Sequence, residues 1–160
     1  MNNIYWLLSG KLGGRRGPDQ CPWDLGQFRQ EGINSIISLS ERMLNRSHEI
    51  VQFGIKHVCV PLPRNAPPLA GDADDIFLVL PMIGALVTDL LQEGKVLIHC
   101  SSGKDRTPLM LSYFLMKHQG LSPKQAMNQL IDTAPNAFTA DGWHDMAFSI
   151  LSRYMKNKTG

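Results

Sequence analysis

The stretch VLIHCSSGKDRTP, residues 96–108, is where side-chain types and spacing add up to chemistry. An apolar run ends at His99, a short loop containing Gly103 follows, and a helix is expected from near Thr107. A loop of this kind aims successive backbone N–H groups inward with a helix N-terminus behind them, which makes a nest for an anion. Cys100 is expected to face the positive end of that helix and the Arg106 guanidinium, and both favour thiolate over thiol. The planar fork of Arg106 matches two oxygens of a phosphate. A sulfur nucleophile below and a bidentate clamp around one bound oxyanion is the arrangement needed to attack phosphorus. That chemistry requires no metal and no cofactor, and the chain shows no metal-ligand spacing.

The elements that must hold this loop can be read from periodicity and punctuation. Residues 4–8 read as a first strand, and Asp24 as the cap of a short helix running to Gln30 and closed by Gly32. Residues 33–39 (INSIISL) and 96–99 (VLIH) read as buried strands, 57–60 as another, and 41–53 as a weaker helix. The proline-rich stretch 61–72 is expected to cross the surface as a functional loop. One of Asp72, Asp74 or Asp75 should cap a long helix to Gln92, kinked or restarted near Pro81, with Gly94 ending it. Helices follow over 107–118, from Ser122-Pro123 to about Ile131, and from a Thr139 cap along the stripe Trp143, Ala147, Ile150, Leu151 and Tyr154. Strands alternating with helices, then a run of helices, predict an α/β fold: three layers, with a central, mostly parallel twisted sheet flanked by helices.

Length and composition set the frame. A chain of 160 residues buries roughly 70% of its unfolded surface, so it folds as one domain, 1–160, without a metal or disulfide staple. Apolar residues at 43% and charged ones at 19% exclude a disordered chain. Sixteen Lys and Arg against fourteen Asp and Glu leave +2, which gives no case for a nucleic-acid partner. The longest apolar run, 76–87, is broken by Pro81 and Gly84 and reads as a buried helix, not an integral membrane segment. The N-terminus lacks the basic region of a signal peptide. Three cysteines are too few and too odd for a disulfide framework, so a reducing, cytoplasmic setting is expected.

His-Cys, five residues, then Arg-Thr resembles the signature of the cysteine-dependent protein tyrosine phosphatase superfamily. The wider chain is similar to the small, atypical dual-specificity phosphatases through WLLSGKLGG at 6–14, INSIISLSE at 33–41 and the proline loop before the long helix. The resemblance implies that Cys100 attacks a phosphate monoester and forms a phosphocysteine that water hydrolyses. It gives Arg106 the phosphate and the transition state, Thr107 a hydrogen bond to the departing sulfur, and His99 the orientation of the loop. Backbone N–H groups of Ser101, Ser102, Gly103, Lys104, Asp105 and Arg106 would bind the phosphoryl oxygens.

The chain departs from the family where the proline loop should supply an acid: Arg64 stands at the aspartate's place. The nearest acids there, Asp72, Asp74 and Asp75, are helix-capping residues first and alternative general acids second. Asp105, just before Arg106 as in myotubularin-like loops, is the expected replacement, with bracing of the loop as its rival role. Pro108 replaces the usual glycine, a change the first turn of a helix accepts. The expected substrates are phosphotyrosine and phosphoserine/threonine proteins. Lys104 keeps a phosphoinositide substrate open, and the missing acid keeps open a phospho-ligand binding module with weak turnover. Of the remaining candidates, Cys59 and Trp143 read as core, Cys21 as inert before Pro22, and Arg15 and Arg16 as either a solvated loop or contacts to an anionic substrate.

Overall fold

Apolar runs long enough to be buried on both faces build the middle of a five-stranded sheet, ordered β1-β2-β5-β3-β4. In the computed structural model, which describes residues 3–159 and side chains as far as Met155, these are β1 Tyr5–Leu7, β2 Leu12–Arg15, β3 Ile33–Ser38, β4 Lys56–Cys59 and β5 Lys95–His99. Only β1 and β2 pair antiparallel; β2, β5, β3 and β4 run parallel. The fold is α/β with a mixed, mostly parallel sheet and helices, as the alternation of elements predicts. The parallel strands bring four C-terminal ends to one edge of the sheet, with the end of β5 between those of β2 and β3.

The sheet belongs to the first of two compact units, Met1–Leu62 with Ala85–Gly103. Its core gathers Phe28 from α1 (Leu25–Gln30), Ile50 from α2 (Ser47–Val51), and Ile33, Ile36 and Leu97 from the strands. Asp24 caps α1 by accepting the Gln27 N–H at 3.0 Å, as its position predicts. Two elements differ from expectation. Strand β2 is hidden in the sequence by Gly13 and Gly14. A Cβ on Gly14 would lie 2.5 Å from the ring of Tyr5, its partner on β1, so the strand must be bare there. The single helix expected over 41–53 is instead a 3-10 turn, Glu41–Met43, followed by α2. Arg46 leaves helical geometry between them, at φ −118° and ψ 13°, and its guanidinium holds Glu49 at 2.8 Å and Asp19 at 3.0 Å.

The second unit is Pro63–Gly84 with Lys104–Gly160. Helix α3, Asp72–Leu91, is neither restarted nor interrupted at Pro81. Proline removes the N–H that would bind the carbonyl four residues back. That carbonyl belongs to Phe77, and the Tyr154 hydroxyl donates to it instead, while the two rings stack at 4.4 Å. Helix α4, Arg106–Gln119, ends at Gly120, whose φ of 70° a side chain would strain. Helix α5, Pro123–Thr133, opens with a complete capping box between Ser122 and Gln125. Helix α6, Trp143–Thr159, buries the expected stripe but is not capped by Thr139, whose hydroxyl donates to the Asn136 carbonyl. No helix among the described residues is long and apolar enough to cross a membrane.

Candidate active site

Strand β5 delivers His99 and Cys100, 0% and 1% exposed, to the C-terminal edge of the sheet. In open α/β sheets this edge, at a strand flanked on both sides by other connections, is where ligands bind. The chain turns directly after Cys100, and the Gly103 N–H comes back to its sulfur at 3.3 Å. Gly103 has φ +73°, and a Cβ there would lie 2.9–3.0 Å from the backbone of Arg15 and Arg16. A glycine is therefore required twice over. The Gly17 N–H donates to the Ser101 carbonyl at 2.9 Å, and the Ser40 and Ser101 hydroxyls meet at 3.1 Å. Tyr5 donates weakly to the Gly103 carbonyl at 3.5 Å. Burial, and then the electrostatic influence of Cys100, push the Tyr5 phenol far up, so it keeps its proton. A small cavity of about 10 Å3 opens at this point, lined by Asp19, Ser40 and Arg42 as well as His99, Cys100 and Ser101.

The rest of the loop belongs to the second unit. Lys104 is exposed, and its carbonyl accepts the Phe138 N–H at 2.6 Å. Asp105 sits at the N-cap of α4 without capping it, because its carboxylate turns to the Ala140 N–H at 3.3 Å. Burial pushes the Asp105 carboxyl up, against the opposing pull of the Ala140 N–H, Lys104 and Arg106. Arg106 and Thr107 open α4 and are buried, and the Thr107 hydroxyl has no hydrogen-bond partner among the described residues. The buried hydroxyls of Ser35 and Ser112 share that condition, and what sets Thr107 apart is its place at the start of α4 directly after Arg106.

Residues 24–146 match the family described as dual specificity phosphatase, catalytic domain. The chain belongs to that family. Its fold is shared by Tk-PTP in an active form, at 21% identity over 94% of this chain and 97% of that one, TM-score 0.71. Human DUSP28 is similar at 16% identity, with 96% and 95% covered and a TM-score of 0.72. Kinase associated phosphatase carrying serine for its catalytic-site cysteine is similar at 20%, with 96% and 94% covered and a TM-score of 0.71.

For this dual-specificity phosphatase the remaining acids are placed as follows. Asp72 is 8% exposed and its Oδ2 accepts both the Leu69 N–H at 2.8 Å and the Asn65 amide at 3.1 Å, so it organises the proline loop. Asp74 is exposed and pairs with Arg153 at 2.8 Å, and Asp75 lies exposed on the first turn of α3. Arg64 is exposed. Trp143 is buried as expected and also donates to the Asn65 carbonyl at 2.9 Å. Arg15 corrects both of its sequence readings. It is 1% exposed and donates to the carbonyls of Arg16 and Cys21 at 3.0 Å, with Trp23 and Phe28 rings 5.8 and 5.5 Å away. The half-exposed Cys21 sulfur accepts from Arg15 at 3.3 Å and from Asn3 at 3.0 Å. Arg16 beside it is exposed. Burial pushes the Cys59 thiol up, and that thiol donates to the Ser40 carbonyl. Tyr5, Gly17 and Ser40 are the neighbours that sequence reasoning missed. Tyr5 arrives on β1 and Gly17 and Ser40 on the segments just past β2 and β3, and only the strand order places them beside the loop after Cys100.

Proposed function

We propose that this phosphatase hydrolyses phosphate monoesters without a metal, through a phosphocysteine on Cys100, and that its substrates are phosphotyrosine and phosphoserine/threonine proteins. The reading is carried by the run from His99 to Thr107. Strand, tight loop and helix start follow one another, and the Cys100 sulfur already accepts a backbone N–H. In the proposed first step the thiolate attacks phosphorus, and the ester oxygen leaves with a proton. Arg106 binds two phosphoryl oxygens, and the N–H groups of Ser101 to Arg106 take the developing negative charge. In the second step water displaces the sulfur, and the Thr107 hydroxyl donates to it as it leaves. Its lack of a partner in the resting protein supports that role. Asp105 is proposed as the acid that protonates the leaving oxygen, supported by a carboxyl that burial raises. The chain is proposed to act as one catalytic domain over residues 1–160, since the family match runs through both units. All three cysteines are free, in keeping with a reduced, cytoplasmic setting.

A second reading has its own observation. Arg64 occupies the usual acid position and Asp72 is tied to the proline loop, which favours a module that captures phosphorylated ligands and turns them over slowly. A panel of phosphotyrosine peptide, phosphoserine peptide, soluble phosphoinositide and para-nitrophenyl phosphate separates the readings. Turnover of the phosphotyrosine peptide at a rate close to the nitrophenyl ester supports the enzyme. Tight peptide binding with turnover only of the nitrophenyl ester supports the binding module. A preference for the phosphoinositide moves the substrate to the lipid headgroup and gives exposed Lys104 a second anionic group to hold.

A further inference from the structure

Behind Cys100 the first unit carries a line of polar side chains that begins at His99, and beyond His99 the phosphatase reading leaves it unused. The carbonyl oxygen of Cys100 lies 3.0 Å from His99 Nδ1, and His99 Nε2 lies 2.6 Å from Ser38 Oγ. The same hydroxyl is 2.8 Å from His57 Nε2, and His57 Nδ1 is 2.5 Å from Ser47 Oγ. Register and diagonal reach explain the line: Ser38 on β3 pairs with His99 on β5, His57 on β4 pairs with Ile36, two residues before Ser38 and so on the same face, and Ser47 opens α2.

The hydrogens can be assigned by elimination. A carbonyl only accepts, so His99 Nδ1 must carry a proton. In a singly protonated ring Nε2 is then bare, and Ser38 must donate to it. Ser38 has one hydroxyl hydrogen, so its oxygen must accept from His57 Nε2–H. With the His57 ring singly protonated, the state that burial favours, its Nδ1 is bare and takes the Ser47 proton. Each group then has a partner, and the donors all point from Ser47 toward the Cys100 carbonyl.

We propose that Ser38 and His57 are positioning residues of the phosphatase, holding His99 as the Nδ1–H tautomer that binds the nucleophile's own carbonyl. In a trans peptide the C=O and the following N–H point in opposite directions. Fixing the Cys100 carbonyl against His99 therefore aims the Ser101 N–H away from it, toward the face of the loop where the proposed function puts the phosphate. The assignment rests on that function only for its catalytic consequence.

The test is ring-labelled histidine NMR of the wild-type protein at neutral pH, combined with kinetics of three variants. His99 should show protonated Nδ1 and bare Nε2, and His57 the opposite tautomer. His57 with protonated Nδ1 would mean that the line runs backwards from a doubly protonated His99, and would overturn the proposal. Ser38→Ala and His57→Leu should mix or broaden the His99 ring signals and lower kcat/KM on a phosphotyrosine peptide about tenfold, the scale of one lost buried hydrogen bond. His57→Gln, whose amide N–H replaces Nε2–H, should restore both. Wild-type His99 signals and wild-type kcat/KM in His57→Leu would also overturn it. If the wild-type protein cleaves no phosphoester, the phosphatase reading fails, and the two ring tautomers still decide the assignment. They decide it equally if a variant does not fold.

Discussion

Asp105 is pulled in two directions, and its titration separates two roles for it. Burial raises its carboxyl above the ordinary value of 3.8, while the Ala140 N–H and the cations Lys104 and Arg106 act to lower it. A carboxyl raised by folding binds its proton more tightly in the native state. Its neutral form therefore favours the fold below the ordinary carboxylate range, and stability falls as pH rises through the native value. Asp105→Asn keeps the oxygen that accepts from Ala140 and removes the charge. Its Tm should exceed wild type at neutral pH, with the gap closing in acid. If Asp105 is also the general acid, the same variant should lose about 10²–10⁴ in rate on phosphotyrosine and far less on para-nitrophenyl phosphate. Equal losses on both esters would leave Asp105 as a brace between the start of α4 and the 138–142 segment.

At the scale of elements, α3 shows how a helix tolerates a proline that its sequence makes look like a break. The Phe77 carbonyl freed by Pro81 is taken by Tyr154, eleven residues into α6. Tyr154→Phe keeps the ring stack and should cost about 1 kcal/mol in urea unfolding, because a part-buried carbonyl loses its donor. Unchanged stability would show that water replaces the hydroxyl. The start of α5 is a local counterpart: Ser122→Ala removes one half of its capping box and should cost about 1 kcal/mol while leaving kcat unchanged. Elements such as β3, β5 and α5 were legible because apolar runs and cap residues are local signals. Strand β2 was not, because its glycines answer to Tyr5 and Trp6 on the neighbouring strand and carry no strand propensity of their own. Arg15 was misread for a related reason. A charged residue between a glycine and a second arginine looks solvated until the chain brings the carbonyls of Arg16 and Cys21 around its guanidinium. The break between the 41–43 turn and α2 likewise depends on Arg46 reaching Asp19, 27 residues earlier.

Across the whole molecule, the candidate site was legible where it is contiguous and illegible where register assembles it. His99 to Thr107 could be read as one unit because strand, loop and helix start lie in a single stretch of chain. Tyr5, Gly17 and Ser40 reach that loop from β1 and from the exits of β2 and β3, Ser38 on β3 reaches His99, His57 on β4 reaches Ser38, and no local pattern marks them. The near-balanced charge of +2 supplies no broad field for drawing in an anionic substrate, so the proposed function leaves phosphate capture to the loop N–H groups and Arg106. If sulfur and guanidinium supply the nucleophile and the charge as proposed, EDTA should leave turnover of a phosphotyrosine peptide unchanged, and a loss restored by a divalent cation would contradict the mechanism. The most direct measurement is to quench that turnover in acid within the first cycle and map the labelled phosphate by mass spectrometry. The account predicts phosphate on Cys100 alone, accumulating in Thr107→Ala and absent from Cys100→Ser, which should also lose turnover. Phosphate on another residue, or hydrolysis by Cys100→Ser above a trace of the wild-type rate, would contradict it.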